Sequence, residues 1–194
     1  MLIAIEGIDG SGKTTQIELL AKALSDLNHS VVTSKEPTDG KYGTLLRDSA
    51  FSGRRNPQEE LDLFIKDRKE HVTTLIAPGL KAGKIVILDR YYFSTIAYQS
   101  VRGLDPLHIR HQNESFAPKP DLLFVLEVSI EESLRRIGVR DGQGNDFEGR
   151  ENLEQCRAIF KKMTGDFIFH INAERSPEQI HQEIMKIVSS KLAG

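Results

Sequence analysis

The chain has 194 residues, of which 39% are hydrophobic and 28% are charged, and its net charge is −2. This balance is typical of one globular domain and argues against non-specific nucleic-acid binding, which needs a basic surface. The single cysteine, Cys156, excludes an intrachain disulfide and suits a reducing compartment. Neither a secretory signal nor an apolar run of transmembrane length is visible, so we expect a cytoplasmic protein without membrane or nucleic-acid partners.

A glycine-rich segment follows the first apolar run of the chain. Residues 2–6 predict a short buried strand, residues 7–14 fit the phosphate-binding pattern G-x-x-x-x-G-K-[ST], and residues 15–27 have a helical apolar period. Glycines let backbone N–H groups approach phosphate oxygens, Lys13 supplies positive charge, and the Thr14 hydroxyl can bind Mg²⁺. A glycine-rich turn that binds nothing is the alternative, which the flanking strand and helix disfavour.

Further apolar runs predict four more strands, at residues 30–34, 85–89, 122–127 and 167–171. Helical patterns separate the strands, and this alternation indicates a parallel sheet that is covered on both faces. The longest predicted helix covers residues 58–77 and should end at Pro78-Gly79. Ser176 and Pro177 have the residue types of an N-cap and a first helical position, so they predict the start of the last helix. We therefore expect a single α/β domain over residues 1–194.

Side chains that suit a nucleotide site lie near the second and third strands. Asp89 and Arg90 end the third strand, where an acid can act on the metal side of a P-loop enzyme; a strand-end salt bridge is the alternative. Phe64 and Arg68 share one helix face, so a base could stack on the ring while the arginine binds its edge. A core phenylalanine beside a surface arginine is the alternative. Arg47 is an isolated basic candidate.

A second glycine-rich segment covers residues 138–149 and has almost no apolar side chains. It predicts a mobile loop between helices at residues 131–137 and 151–163. Arginines on a closing loop suit charge stabilisation during phosphoryl transfer, although a solvated charged helix is the alternative. The arginines in this loop or at its borders are Arg135, Arg136, Arg140, Arg150 and Arg157.

These segments occur in the order found in thymidylate kinases, and the resemblance extends from the first residue to the last helix. The matching segments are residues 7–14, Glu36-Pro37, Phe64 with Arg68, Asp89-Arg90-Tyr91, Ser94-Thr95 and Tyr98-Gln99. The resemblance implies a three-layer P-loop NTPase fold with a five-stranded parallel sheet and a mobile lid at about residues 138–150. It also implies a homodimeric kinase that uses Mg²⁺ and transfers the γ-phosphate of ATP to dTMP, giving dTDP and ADP for dTTP biosynthesis.

The resemblance assigns a role to each matching residue. ATP would contact the P-loop and the lid, at Gly7, Asp9, Gly10, Ser11, Gly12, Lys13, Thr14, Thr15, Arg140 and Arg150. The nucleoside of dTMP would contact Asp9 through its 3′-hydroxyl, Phe64 by stacking, Arg68 at O4, Thr95 at N3 and Tyr98 where a 2′-hydroxyl would lie. Glu36 would also line this site, and Arg90 and Arg47 would bind the dTMP phosphate. Thr14 and Asp89 would hold Mg²⁺, and the catalytic residues would be Lys13, Arg90, Arg140 and Asp9.

Two positions depart from the pattern of the family. Gly10 stands where some thymidylate kinases have a basic residue after the P-loop acid, so the lid would have to supply the mobile positive charge. Asp146 stands before Phe147-Glu148, where many relatives have an arginine, and this shifts the catalytic role toward Arg140 and Arg150. The alternatives are a kinase for another nucleoside or deoxynucleoside monophosphate, or a catalytically weak nucleotide-binding P-loop protein. A GTPase would need N-K-x-D, which residues 172–175 do not provide.

Overall fold

The computed structural model describes residues 1–52, 55–141 and 146–193, with the backbone alone at residues 50–52, 139–141 and 146–148. Strands and helices alternate along most of the chain. In order, they are β1 (Leu2–Glu6), α1 (Lys13–Asp26), β2 (Val31–Lys35), α2 (Lys41–Ser52), α3 (Pro57–His71), a π-helical turn (Val72–Ile76), α4 (Ala77–Lys81), β3 (Ile85–Asp89), α5 (Tyr92–Val101), α6 (Pro106–Glu114), β4 (Leu122–Glu127), α7 (Ile130–Asp141), α8 (Asp146–Lys161), β5 (Ile168–Asn172) and α9 (Pro177–Ala193).

The strands form one parallel sheet in the order β2-β3-β1-β4-β5. The predicted five-stranded parallel sheet is therefore confirmed, and β2 and β5 each begin and end one residue later than expected. Ile5 of β1 pairs with Asp89 of β3, so the loops that follow these two strands emerge side by side. The carboxyl ends of parallel strands are where ligands bind in open α/β sheets.

Helices cover both faces of the sheet because successive strand side chains point to opposite sides. Ile3 and Ile5 pack into a buried cluster with residues of α1 and α9. Leu2 and Ala4 pack on the other face, in a cluster with residues of α3, α5, α6 and α8. These layers give the three-layer P-loop arrangement that the sequence predicted. No helix in the described ranges combines the length and the apolar character that crossing a bilayer would require.

Pro78 does not end the long helix, so this expectation was wrong. The chain forms a π-helical turn whose closing bond runs from Ala77 N to Val72 O, and it continues through Pro78 to Lys81. A proline removes one helical donor and crowds the preceding turn, and the π turn changes the register of the hydrogen bonds just before it. A Cβ on Gly79 would lie 3.0 Å from Val86 Cγ2, so α4 packs closely on the sheet.

In the second glycine-rich segment, residues 138–141 and 146–149 are helical, so the prediction of a loop was wrong at these residues. Helix α7 continues to Asp141 and α8 begins at Asp146, while residues 142–145 lie outside the described residues. Glu and Arg are good helix formers, and one glycine costs only about 1 kcal/mol in a helix interior. Gly138 and Gly149 are both exposed, and no described atom would lie within 4 Å of a Cβ there. The glycine count therefore overstated how irregular residues 138–141 and 146–149 are.

Candidate active site

The glycine-rich loop between β1 and α1 needs glycine where it passes close to neighbouring elements. Gly7 has a φ of 141°, and a Cβ there would lie 2.7 Å from Leu126 O of β4. Gly10 has a φ of 73°, and a Cβ there would lie 2.6 Å from Ser133 O of α7. Both positions combine a backbone conformation that favours glycine with no room for a side chain. The loop is therefore fixed against β4 and α7.

Lys13 lies beneath this loop and is 7% exposed. Its ammonium group donates to Gly7 O at 3.2 Å and to Ile8 O at 3.0 Å. Burial, together with the nearby charge of Arg90, lowers the Lys13 pKa to about 8. Lys13 thus stays mostly protonated at neutral pH, and its charge lies within the loop that the sequence assigned to phosphate binding.

Thr14, in the first turn of α1, lies beside Asp89, the last residue of β3. The Thr14 hydroxyl donates to Asp89 Oδ2 at 2.9 Å. Mg²⁺ prefers hard oxygen ligands at about 2.1 Å, and it is usually held by one or two carboxylates with waters and phosphates rather than by an all-protein cage. The described residues contain no group of three or more His, Cys, Asp or Glu that could hold a metal. The donor pair fits a magnesium ion that is shared with nucleotide phosphates.

Arg90 adopts a left-handed conformation with a φ of 68°, which is uncommon for a residue with a Cβ. Its guanidinium donates to Asp9 Oδ1 at 2.5 Å, to Ser94 Oγ at 2.9 Å and to Gly7 O at 3.2 Å. It also lies over the Tyr98 ring, 5.2 Å from the centroid. These contacts hold the guanidinium at the boundary between the P-loop and the adjacent cavity.

That cavity has a volume of about 320 Å³ and lies beside the P-loop. Every residue that the sequence analysis assigned to the monophosphate substrate lines it. They are Asp9, Glu36, Arg47, Phe64, Arg68, Arg90, Thr95 and Tyr98. Ligand pockets in proteins measure about 300–1,000 Å³, so this cavity is large enough for a small nucleotide.

Arg68 is 1% exposed, so the alternative of a surface arginine was wrong. Its Nε donates to Glu36 Oε2 at 2.7 Å, its Nη2 donates to Thr95 Oγ1 at 2.9 Å, and its Nη1 donates to Asn113 Oδ1. His71 in turn bridges Glu36 Oε1 at 2.9 Å and Ser34 Oγ at 2.8 Å; the proton positions on its ring depend on the tautomer. This network fixes the plane of the guanidinium at one end of the cavity.

Several residues around the cavity were missed by the sequence analysis as site residues. Gln99 lines the cavity, and its Oε1 atom is buried without a hydrogen-bond partner among the described residues. An unpaired buried amide oxygen is costly, which makes it a candidate contact for a ligand donor. Its place directly after Tyr98, within a segment already singled out, was the signal that could have identified it. Asn113 contacts Arg68, and His71 contacts Glu36. No local sequence pattern indicates either contact.

The lid arginines lie in different surroundings. The Arg140 backbone belongs to α7, and its side chain lies outside the described residues. Arg150 pairs with Glu131 at 2.6 Å, so it binds α7 rather than the P-loop. Arg136 donates to Gly10 O at 3.3 Å and to Ala173 O at 2.9 Å. Arg136 is therefore a further arginine that contacts the P-loop.

Arg47 lies at the outer edge of the cavity, with its side chain 38% exposed. It donates to Pro37 O at 3.1 Å and pairs with Asp39 at 3.2 Å. Arg47 and Arg90 thus bring two positive charges to one cavity.

Comparison with known proteins gives one consistent family. The thymidylate kinase family model matches residues 5–184. A thymidylate kinase of Akkermansia muciniphila is 45% identical over 190 residues, which cover 98% of this chain and 92% of the relative. A thymidylate kinase of Xanthomonas campestris pv. campestris is 47% identical over 193 residues, covering 100% of this chain and 85% of the relative. One of Xanthomonas oryzae pv. oryzae is 46% identical over 198 residues, covering 100% and 87%.

Proposed function

The chain belongs to the thymidylate kinase family, and we propose that it transfers the γ-phosphate of ATP to dTMP, giving dTDP and ADP for dTTP biosynthesis. The observation that carries this proposal is the cavity beside the P-loop. Eight residues chosen from sequence for dTMP line it, although they are spread from Asp9 to Tyr98. Such convergence supports an acceptor-nucleotide site next to the loop that would hold the donor phosphates.

The base end of the cavity suits a pyrimidine that has a carbonyl at position 4. The N–H groups of Arg68 offer donors to O4, and Phe64 offers a ring on which the base stacks. Thr95 Oγ1 and Gln99 Oε1 are the acceptors available for the N3–H group of thymine. Cytosine carries an amino group at position 4 and no hydrogen on N3, so it would oppose these donors and acceptors.

The sugar lies between the base end and the P-loop in this arrangement. Asp9 has a half-exposed carboxylate that accepts a bond from the 3′-hydroxyl. Tyr98 lines the cavity at the position that the 2′-hydroxyl of a ribose would occupy. The Tyr98 side chain therefore disfavours ribonucleotides. Both assignments come from the family resemblance and are supported by the position of these residues in the cavity.

Phosphoryl transfer here depends on positioning and charge neutralisation. Arg90 and Arg47 bind the dTMP phosphate, and Lys13 exchanges its two carbonyl partners for the phosphates of ATP. The attacking oxygen belongs to a phosphate that is already an anion, so no general base is required. Repulsion between the two phosphate anions opposes their in-line approach, and cations held in fixed positions reduce this repulsion.

Magnesium is part of this proposal, and Thr14 and Asp89 would hold it, with Asp89 acting directly or through water. When bound, Mg²⁺ neutralises charge on the transferring phosphoryl group. The lid would complete the site: Arg140 and Arg150 supply the mobile positive charge that Gly10 does not. Arg150 has to leave Glu131 to do so.

The proposal also includes a cytoplasmic homodimer, as the family resemblance implies. The single cysteine is consistent with a reducing compartment. Light scattering of the purified protein tests the assembly, because a dimer gives twice the mass of one chain and a monomer would contradict this part of the proposal.

A coupled assay of ADP release tests the activity itself. The protein is mixed with ATP and Mg²⁺ and with dTMP, dUMP, dCMP, dGMP, dAMP or UMP in separate reactions. We expect dTMP to give the highest kcat/KM and chelation of Mg²⁺ to abolish turnover. Equal turnover with every monophosphate, or none with dTMP, would contradict the proposal.

A further inference from the structure

Glu6, the last residue of β1, is a carboxylate without solvent exposure directly before the P-loop. Burying a charged carboxylate is costly, and an apolar residue would serve better at the end of a core strand. Burial raises the pKa of Glu6 to about 7, against the hydrogen bonds and the Arg90 charge that favour its ionised form. A residue kept at such a cost calls for a role besides packing.

The carboxylate of Glu6 caps helix α5 from a distant strand. Its Oε1 accepts from Tyr91 N at 2.7 Å and from Ser94 N at 3.0 Å. Tyr91 is the N-cap residue of α5, and its own side chain makes no capping bond. The first N–H groups of a helix need acceptors, and a negative charge there is favourable. Glu6 therefore fixes the start of the helix that carries Thr95 and Tyr98.

The second carboxylate oxygen connects Glu6 to Arg90. Ser94 Oγ donates to Glu6 Oε2 at 2.5 Å and accepts from Arg90 Nη1 at 2.9 Å. Because the Ser94 hydrogen is engaged by Glu6, a lone pair of its oxygen faces the guanidinium. Tyr91 N, which Glu6 also holds, follows the left-handed Arg90 directly. A strained residue keeps its conformation only when its surroundings over-determine it.

We propose that Glu6 is a positioning residue for the acceptor phosphate: through Ser94, its carboxylate orients the Arg90 guanidinium toward the phosphate of dTMP. This inference rests on the proposed function, because it takes dTMP as the ligand of the cavity. Glu6 touches neither nucleotide in this arrangement and acts through Arg90.

Binding of dTMP and of thymidine measures the phosphate contribution separately from the rest of the cavity. Calorimetry at pH 8, where Glu6 is mostly ionised, gives the ratio of the two dissociation constants. Glu6→Gln keeps the side-chain shape but places N–H groups where an oxygen accepted a bond. We expect the preference for dTMP over thymidine to fall by about 10-fold or more, as for a lost bond to a charged group. Ser94→Ala should lower the ratio in the same direction.

Asp121→Asn is the matched control, because Asp121 Oδ2 accepts from Leu2 N at 2.7 Å at the other end of β1. It makes the same carboxylate-to-amide change and should leave the ratio unaltered. A Glu6→Gln protein that weakens dTMP and thymidine alike would show a structural role only and overturn the inference. Should Glu6→Gln not fold, Ser94→Ala decides, and an unaltered ratio there overturns it.

The same titrations separate this inference from the proposed function. A wild-type protein that binds no dTMP would contradict both. A wild-type protein that prefers dTMP to thymidine, with variants that keep the preference, would contradict the role of Glu6 alone.

Discussion

Arg68 shows how a buried charge can be prepared for recognition before a ligand binds. Glu36, Thr95 and Asn113 hold its guanidinium, and Tyr91 stacks against it, with the ring centroid 5.5 Å from Arg68 Cζ. A group that is already ordered loses little conformational freedom on binding, so more of its interaction energy appears as affinity. This end of the cavity should therefore select the base without large rearrangement.

Phe64 provides a test at the scale of one residue. We expect Phe64→Ala to weaken dTMP binding by about 1–3 kcal/mol, the value of a base–aromatic stack, while ATP affinity stays unaltered. Calorimetric titration of each nucleotide measures both effects. Ile65→Ala is the control, because Ile65 is a neighbouring, partly buried residue of α3 that packs on the core. Equal losses for both nucleotides would mean that Phe64 is only a core residue.

The sequence suggested candidate site residues that belong to short local patterns and missed candidates whose partners are distant in the chain. The P-loop is recognisable from spacing alone, whereas the spacing of Phe64 and Arg68 only suggested a shared helix face and their role came from the family resemblance. Glu6 was interpreted only as the end of a strand, because its partner Ser94 is 88 positions away. Nothing near Glu6 in the chain indicates that a carboxylate is needed there.

At the scale of elements, two helices, α3 and α5, line much of the cavity. Phe64 and Arg68 are four residues apart on α3, while Thr95, Tyr98 and Gln99 share one face of α5 by their spacing. The apolar period predicted a helix at residues 58–77, which covers all but the first residue of α3, but it predicted neither the bounds of α5 nor the π-helical turn after α3. A proline normally predicts the end of a helix, and only packing of α4 on the sheet shows why the chain continues.

The second prediction concerns α7 and α8, the helices that contain Arg140 and Arg150. If Arg140 and Arg150 supply the mobile charge, Arg140→Ala should lower kcat by about 10³-fold and leave dTMP affinity unaltered, because such arginines act on the transition state. Arg150→Ala should have an equal or smaller effect, since its pairing with Glu131 must first be broken. Steady-state kinetics of both single variants and the double variant measure this.

Arg135→Ala is the matched control, because Arg135 is exposed on α7 and pairs with Glu132. It should leave kcat at the wild-type value. A double Arg140 and Arg150 variant with wild-type kcat would refute the lid hypothesis. The catalytic charge would then have to come from Arg90, Arg47 or a partner subunit.

At the scale of the whole molecule, strand order brings the site together. The sheet order places β3 between β1 and β2, so the P-loop after β1, Asp89 at the end of β3 and Glu36 after β2 emerge at one edge. The alternating pattern of strands and helices was sufficient to predict a five-stranded parallel sheet, but not its strand order. The volume and lining of the cavity depend on how α3 and α5 pack, which the sequence alone does not give.

The free energy of unfolding should depend on pH because Glu6 is buried. Its folded pKa of about 7 lies above the ordinary value of 4.5, so between these pH values the folded state binds more protons than the unfolded state. Stability from this group is therefore present at low pH and is lost as pH rises through about 7. Glu6→Gln removes this titration. The stability of wild type relative to Glu6→Gln should thus fall by about 3 kcal/mol from pH 4.5 to 8.

Urea unfolding of both proteins at several pH values measures this difference, and groups common to the two proteins cancel. A difference that does not vary with pH would show that Glu6 titrates normally in the folded protein.

The most direct test of the central claim is a competition for one donor phosphate. The protein is incubated with γ-labelled ATP, Mg²⁺ and an equimolar mixture of dTMP, dUMP, dCMP, dGMP and dAMP, and the labelled diphosphates are separated. Under competition, the label distributes by the kcat/KM of each acceptor. We expect the label predominantly in dTDP, because the chain belongs to the thymidylate kinase family. The proposed contact of Arg68 with a carbonyl at position 4 would disfavour dCMP, whereas dUMP has the same carbonyl and is the most demanding competitor. Label spread evenly over the diphosphates, or found mainly in another one, would contradict the account.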